Sequence, residues 1–167
     1  MLFRSLFFST IVAVTIGPAA PPAGAQHVGI AIGKRAPSAL VQNLDGKTVD
    51  LGASVGRSPM LIEFWATWCS KCRELEPALL AAQKKYAGRV KFVGVAVSVN
   101  QSPARVKAYA AKHGMKFDIL YDADGNASDA YEAPATSYIV VVNRKGNVVY
   151  TGLGGSQNLE AAIRKAL

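Results

Sequence analysis

From position 40 onward, short blocks of apolar residues alternate with stretches in which apolar residues recur every three or four positions. Leu40 to Leu51, LVQNLDGKTVDL, places an Asp-Gly turn between two short alternating runs and predicts a β-hairpin. Pro59 to Ala66, PMLIEFWA, is a continuous apolar and aromatic run broken by one acid, Glu63, which predicts a buried central strand. Leu75, Ala78, Leu79 and Ala82 then recur at helical spacing. They predict a helix from near the two cysteines to about Tyr86, stopped by Gly88 and kinked at Pro77. Val90 to Val99 reads as a second buried strand. Ser102 to Gly114 reads as a helix with an N-cap serine, proline at the first helical position and a terminal glycine. A short strand is predicted near Phe117 to Tyr121, followed by a turn-rich segment with one helical turn. Thr136 to Gly152 forms a hairpin around Lys145-Gly146, and Ser156 to Leu167 closes the chain as a helix with Leu159, Ala162, Ile163 and Ala166 on one face. This order of elements predicts an α/β layered fold with a mixed central β-sheet flanked by helices.

The first 25 residues break this pattern. Arg4 is followed by an apolar run from Leu6 to about Ile16, then by small residues ending Ala23-Gly24-Ala25. That is the layout of a secretory signal peptide with cleavage expected after Ala25, an uncleaved membrane anchor being the other reading. The folded part is therefore expected outside the cytosol, periplasmic or extracytoplasmic. Residues 26–38, short and containing Gly and Pro, read as a mobile lead-in, and residues 39–167 as one domain with a sizeable core. The formal charge is +8, with Lys and Arg spread in ones and twos rather than in a block. A solvated surface fits this distribution, and nucleic-acid binding does not fit an exported chain without a basic stripe interleaved with aromatics.

Both cysteines of the chain, Cys69 and Cys72, fall in FWATWCSKCRELEP, from Phe64 to Pro77. A bond between them closes so short a loop that it removes little chain entropy, so crosslinking is not their main purpose. Zinc normally needs four ligands, and this chain offers one cysteine pair with only His27 and His113. A redox dithiol, a two-thiolate site for a soft metal such as Cu(I), and inert thiols remain. The pair lies where strand gives way to helix, and a helix N-terminus favours an anion. Cys69 is thus expected as the attacking thiolate, with Lys71 and Arg73 adding positive charge nearby, and Cys72 as the resolving thiol.

Glu63 is the next most informative residue. Strand alternation points it toward the sheet face that the helix covers, where an unpaired carboxylate is costly and holds its proton tightly. It either accepts the proton of Cys72, directly or through water, or pairs with a lysine elsewhere in the fold. Trp68, directly before Cys69, is expected to shield the dithiol and to offer partners a flat apolar surface. His113 reads as serving the dipole of a helix end, and the six tyrosines as core and surface filler.

FWATWCSKCRELEP resembles the active-site segment of thioredoxin-fold proteins. With the leader, VQNLDGKTVDL and the insertion from Ser102 to Tyr121, the chain resembles the exported TlpA-like thiol-disulfide oxidoreductases from about Gly33 to Leu167. The resemblance implies a thioredoxin-like fold carrying an added N-terminal hairpin and a central helix-strand insertion. It implies Cys69 as nucleophile, Cys72 as resolving thiol, Glu63 in the place of the buried acid and Pro77 as the helix kink. It also implies a cis-proline loop that binds substrate opposite the dithiol. Here the sequence is APATSYIV, so Pro134 stands one residue earlier than in the family pattern, with Ala135 before Thr136; the loop is one residue longer or the cis peptide is displaced. Ser70-Lys71 between the cysteines lacks the usual proline, and Lys71 is expected to stabilise the thiolate and make the couple more oxidising. The implied activity is exchange of the Cys69–Cys72 disulfide with protein thiols and disulfides. The expected direction is reductive, as in cytochrome c maturation or metal-centre assembly, by a monomer fed by a membrane electron-transfer partner. No cofactor beyond the disulfide and no metal are expected. The alternative from another class is a Cu(I) metallochaperone using the same two cysteines with only His113 as a further donor. A peroxidase reading is weak, because Thr67 stands two residues before Cys69 rather than three.

Overall fold

The structure, a computed structural model, describes residues 29–167. The leader expected over residues 1–25 lies outside the described residues. Seven strands make one mixed sheet: β1 (Leu40–Asn43), β2 (Thr48–Asp50), β3 (Met60–Trp65), β4 (Lys91–Val97), β5 (Asp118–Asp122), β6 (Tyr138–Val142) and β7 (Val148–Leu153). Their order across the sheet is β2-β1-β5-β4-β3-β6-β7. β3, β4 and β5 run parallel, joined by helical crossovers, and the remaining neighbours pair antiparallel. The helices are α1 (Ser70–Lys85), α2 (Pro103–Lys112), the single turn α3 (Asn126–Ala130) and α4 (Leu159–Arg164), with a 3₁₀ turn at Leu51–Ser54. The hairpin β1-β2 and the α2-β5 unit are the two expected additions, and they adjoin one another at one side of the sheet.

Strand alternation divides the core. Met60, Ile62 and Phe64 of β3 face one layer with Val93, Val95, Val140, Val142 and the α3 residues Ala127 and Ala130. Leu61 and Trp65 face the other, where α1, α2 and α4 pack through Leu75, Leu79, Val106, Ala162 and Ile163. Every residue of β3 is buried, including Glu63, because the sheet is covered on both faces. The helix boundaries follow their caps. Ser102 accepts the Arg105 N–H ahead of Pro103, and Asn158 accepts the Ala161 N–H ahead of α4. Pro77 lies inside α1 and supplies no N–H to the carbonyl one turn before it.

The segment expected to be a mobile lead-in is part of the fold over residues 29–38. Gly33 N–H donates to the Val148 carbonyl, Val148 N–H to the Lys34 carbonyl, and Arg35 bridges Asn147, so this segment lines up beside the start of β7. Ile30 and Ala36 enter the α3-side core at 3% and 5% exposure. The backbone N–H of Ile30 donates to the Tyr138 hydroxyl at 3.0 Å. Gly29 is what permits this approach, since a Cβ there would stand 2.1 Å from that hydroxyl oxygen, at a φ of +75°. The segment shows no hydrophobic period because backbone pairing and two small apolar contacts hold it, not an amphipathic face. Ile30→Ala is accordingly expected to destabilise the domain by about 2 to 5 kcal/mol, as for other buried large-to-small changes. Urea denaturation checks this, since a free lead-in would show no change.

Candidate active site

The chain leaves the end of β3 at Ala66, crosses Thr67 and Trp68, and enters α1 with Cys69 as the N-cap. Cys69 has extended backbone (φ −75°, ψ 113°), and its Sγ accepts the Cys72 N–H at 3.0 Å. A sulfur thus occupies the position in which a serine or aspartate oxygen ordinarily satisfies a first-turn amide. Negative charge on that sulfur would be stabilised by the same N–H and by the helix dipole, which is how a helix N-terminus lowers a thiol pKa. Cys69 and Cys72 are disulfide-bonded, with Cα atoms 5.3 Å apart, and both are almost fully buried.

A second loop grips the first. Thr67 N–H donates to the Gln101 side-chain carbonyl at 2.8 Å, and the Gln101 amide group donates back to the Val97 carbonyl. The Tyr121 hydroxyl donates to the Gln101 backbone carbonyl, and Trp68 Nε1 to the Val99 carbonyl at 2.7 Å. Gln101 therefore ties the dithiol loop to the end of β4. Trp68 is held in place while 41% of it stays exposed, and Val99 beside it is 57% exposed. A groove of about 460 Å³ runs between them and the loop before β6, lined by Trp68, Val97, Val99, Ala133, Ala135 and Thr136.

All peptide bonds among the described residues are trans, including Ala133-Pro134, so the cis-proline that the resemblance implied is not formed at Pro134. Pro134 is exposed and stands outside the groove lining, whereas Ala135 and Thr136 contribute to it. The extra residue between proline and threonine is the local difference: the groove wall is made by Ala135 and Thr136, and the tertiary amide keeps the trans form it prefers by about 0.5 to 1 kcal/mol. Lys71 directs its ammonium to Glu74 at 2.7 Å, and Glu74 also accepts the Ser156 hydroxyl. The cation thus has an opposing anion beside it, and both side chains are well exposed, where such pairs contribute little.

Glu63 lies on the α1 face of β3, between Leu61 and Trp65 in the alternation, at 2% exposure. Among the described residues no lysine or arginine forms an ion pair with it. Burial first, and the charge of Glu76 second, push its pKa up from 4.5 to about 8. The lysine-paired alternative is thus not what the fold builds. Glu76 belongs to a cluster that periodicity does not reveal. Its carboxylate accepts the Tyr109 hydroxyl at 3.1 Å and meets His113 Nδ1 at 2.7 Å, and the Tyr109 and His113 rings stack with centroids 3.8 Å apart. His113 does end α2, yet its side chain turns to α1, a contact between positions 37 apart that no local signal marks. Gln101 escaped notice for the same reason: a lone glutamine in a loop carries no pattern.

The comparisons with known proteins agree with this geometry. The sequence profile of the Redoxin family matches residues 31–167. The chain is 36% identical over 141 residues to the thioredoxin-like protein YneN of Bacillus subtilis, covering 83% of this chain and 82% of that one. It is 28% identical over 120 residues to the thiol-disulfide oxidoreductase ResA of Bacillus subtilis, covering 72% and 66%. A crystal structure described as a thiol:disulfide interchange protein DsbE from Chlorobium tepidum superposes with a TM-score of 0.72 at 25% identity, covering 82% of this chain and 98% of that one. A disulfide that caps the helix after the central strand of such a sheet, in a sequence with these relatives, shows that the chain belongs to the Redoxin family, as a TlpA-like thiol-disulfide oxidoreductase of thioredoxin fold.

Proposed function

We propose that the chain is an exported protein-disulfide reductant, monomeric, in which Cys69 attacks, Cys72 resolves and Glu63 takes the resolving proton. The observation that carries this reading is the Cys69 sulfur standing as N-cap of α1, one N–H already donated to it and an exposed tryptophan directly before it, at the end of a strand that also carries a buried carboxylate without a cation. In the reduced form the Cys69 thiolate attacks a partner disulfide, forming a mixed disulfide and releasing one partner thiolate. Cys72 then gives its proton to Glu63, its thiolate attacks Cys69 Sγ, and the second partner sulfur leaves as a thiolate that takes up a proton. Two electrons pass from the dithiol to the partner, carried by the two sulfurs. A dithiol donor, which we place at the membrane, restores the reduced state. The apolar groove of Trp68 and Ala135 would receive the partner chain, cytochrome maturation and metal-centre assembly being the kinds of substrate that such a reductant serves.

Cys72→Ser is expected to accumulate a mixed disulfide with a disulfide-containing substrate through Cys69, while Cys69→Ser accumulates none; non-reducing gel analysis reads both, and trapping by Cys69→Ser would reverse the roles. The reduction potential, measured in glutathione or dithiothreitol buffers, is expected near the thioredoxin end of the known span, about −270 mV. A value near −120 mV would mean an oxidant instead, and tight one-to-one Cu(I) binding by the dithiol would favour metal transport.

Glu63 also makes stability depend on pH. Its proton affinity is higher folded than unfolded, so its cost is absent below about pH 4.5 and grows as pH rises to about 8. Glu63→Gln is therefore expected to gain on the wild type across that window, by on the order of a few kcal/mol in urea denaturation of the oxidised protein. The same substitution is expected to slow the resolving step by roughly 10²-fold or more.

A further inference from the structure

Glu63 and Glu76 are two carboxylates in unlike surroundings on the same side of the sheet. Glu76 stands four residues beyond Cys72, one helical turn along the face of α1 that meets the sheet. Its side chain is 15% exposed and holds two donors, the Tyr109 hydroxyl and His113 Nδ1. Glu63, at 2% exposure, is far more deeply buried. Between them lies an aromatic contact: the Trp65 ring, two residues after Glu63 on the same strand face, meets the Tyr109 ring with centroids 5.4 Å apart. Trp65 Nε1 is buried without a hydrogen-bond partner among the described residues. It lies over Gly94, the β4 residue in register with Glu63, where a Cβ would come within 3.0 Å of it. Gly94 of β4 and Ile139 of β6 stand beside Glu63 in register, the charges of Glu76 from α1 and of Glu63 both act on Tyr109 of α2, and Arg73 of α1 acts on the same phenol. Only Arg73 brings a fixed positive charge to that set, and it is exposed.

A negative charge close to a poorly solvated carboxyl raises that carboxyl's hold on its proton. We propose that Glu76, clamped by Tyr109 and His113, is a positioning residue whose charge decides when Glu63 can receive the Cys72 proton, and so sets the pH range of the resolving step. The idea rests on Glu63 being the proton acceptor. Burial raises the proton affinity of Glu63 on its own, and the Glu76 charge adds to it. The Tyr109 phenol, pushed up to about 12 by burial and by its bond to Glu76, stays a donor throughout the working range.

The test uses release of the second thionitrobenzoate after the reduced protein reacts with Ellman's reagent, a direct measure of Cys72 attack on the Cys69 mixed disulfide. It is followed against pH for the wild type, E63Q, E76Q and the double variant. In parallel, the Glu63 carboxyl is titrated by carbon NMR in the disulfide form of the wild type and E76Q, where neither sulfur ionises. The wild-type profile is expected to bend near pH 8, as Glu63 ionises. E76Q is expected to move both the bend and the NMR titration down by roughly one unit, making resolution about fivefold faster one unit below the wild-type bend. E63Q is expected to abolish the bend, and the double variant to match E63Q, because Glu76 acts through Glu63. An unmoved Glu63 titration in E76Q overturns the proposal, as does a uniform loss of rate at every pH. A bend that survives E63Q overturns the proton-acceptor role itself, and the NMR titration then still decides whether Glu76 governs Glu63. Should E76Q fold poorly, Tyr109→Phe, which removes one donor from Glu76 and leaves the aromatic packing, is expected to shift the Glu63 titration without abolishing it, and no shift there overturns the proposal.

Discussion

A helix in this fold begins on a sulfur, and the placement of everything else answers to that contact. An oxygen cap would satisfy the first-turn amide equally well, but it would not leave a group that becomes more stable on losing a proton. The cap lies at the end of β3 because β3 is central, with β4 on one side and β6 on the other, and its residues are buried throughout. A strand so enclosed can only deliver the chain to the edge of the sheet. There the turn through Thr67 and Trp68, fastened by Gln101, fixes where the dithiol stands. Reactivity and architecture are joined at one N–H to sulfur bond.

The same enclosure makes Glu63 expensive. A carboxylate in the middle of a strand with no cation is destabilising in its charged form, and the fold does nothing to relieve it. It buries Glu63 in a strand covered on both faces, and the charge of Glu76 further disfavours the ionised form. Such a departure from consistent packing is expected at a functional site and not in a scaffold. The proposed mechanism supplies a reason: a proton acceptor is useful to Cys72 when it binds a proton about as tightly as a thiol does.

Most of the architecture was legible in the sequence because its elements are strongly periodic and explicitly capped. PMLIEFWA has no period to confuse with a helix, SPARVKAYAAKHG carries both its boundaries, and Asp45-Gly46 and Lys145-Gly146 mark their hairpins. The placement of Glu63 followed from counting along the strand, and the dithiol from its spacing. What escaped was held by contacts without local signature. The packing of Ile30 and Ala36 depends on backbone pairing with β7, the trans peptide at Pro134 on one intervening alanine, and the partners of Lys71 and His113 on side chains whose direction a sequence does not encode. The periodic part of the chain specifies where the site is, whereas aperiodic long-range contacts specify its electrostatics.

Gly94 shows how closely the two are linked. It stands abreast of Glu63, and the Trp65 indole occupies the volume its missing side chain would have claimed. From that indole the contacts run to Tyr109, and from Tyr109 to the carboxylate of Glu76. The floor of the sheet is therefore filled from above: a methyl added to its middle would crowd the Ile119 side chain and the indole, from which the contacts lead to the Glu76 carboxylate. On the role proposed for Glu63, the tuning of this dithiol is distributed over the depth of the domain, and sequence drift at a plain strand glycine is a route by which the chemistry at the surface can be retuned.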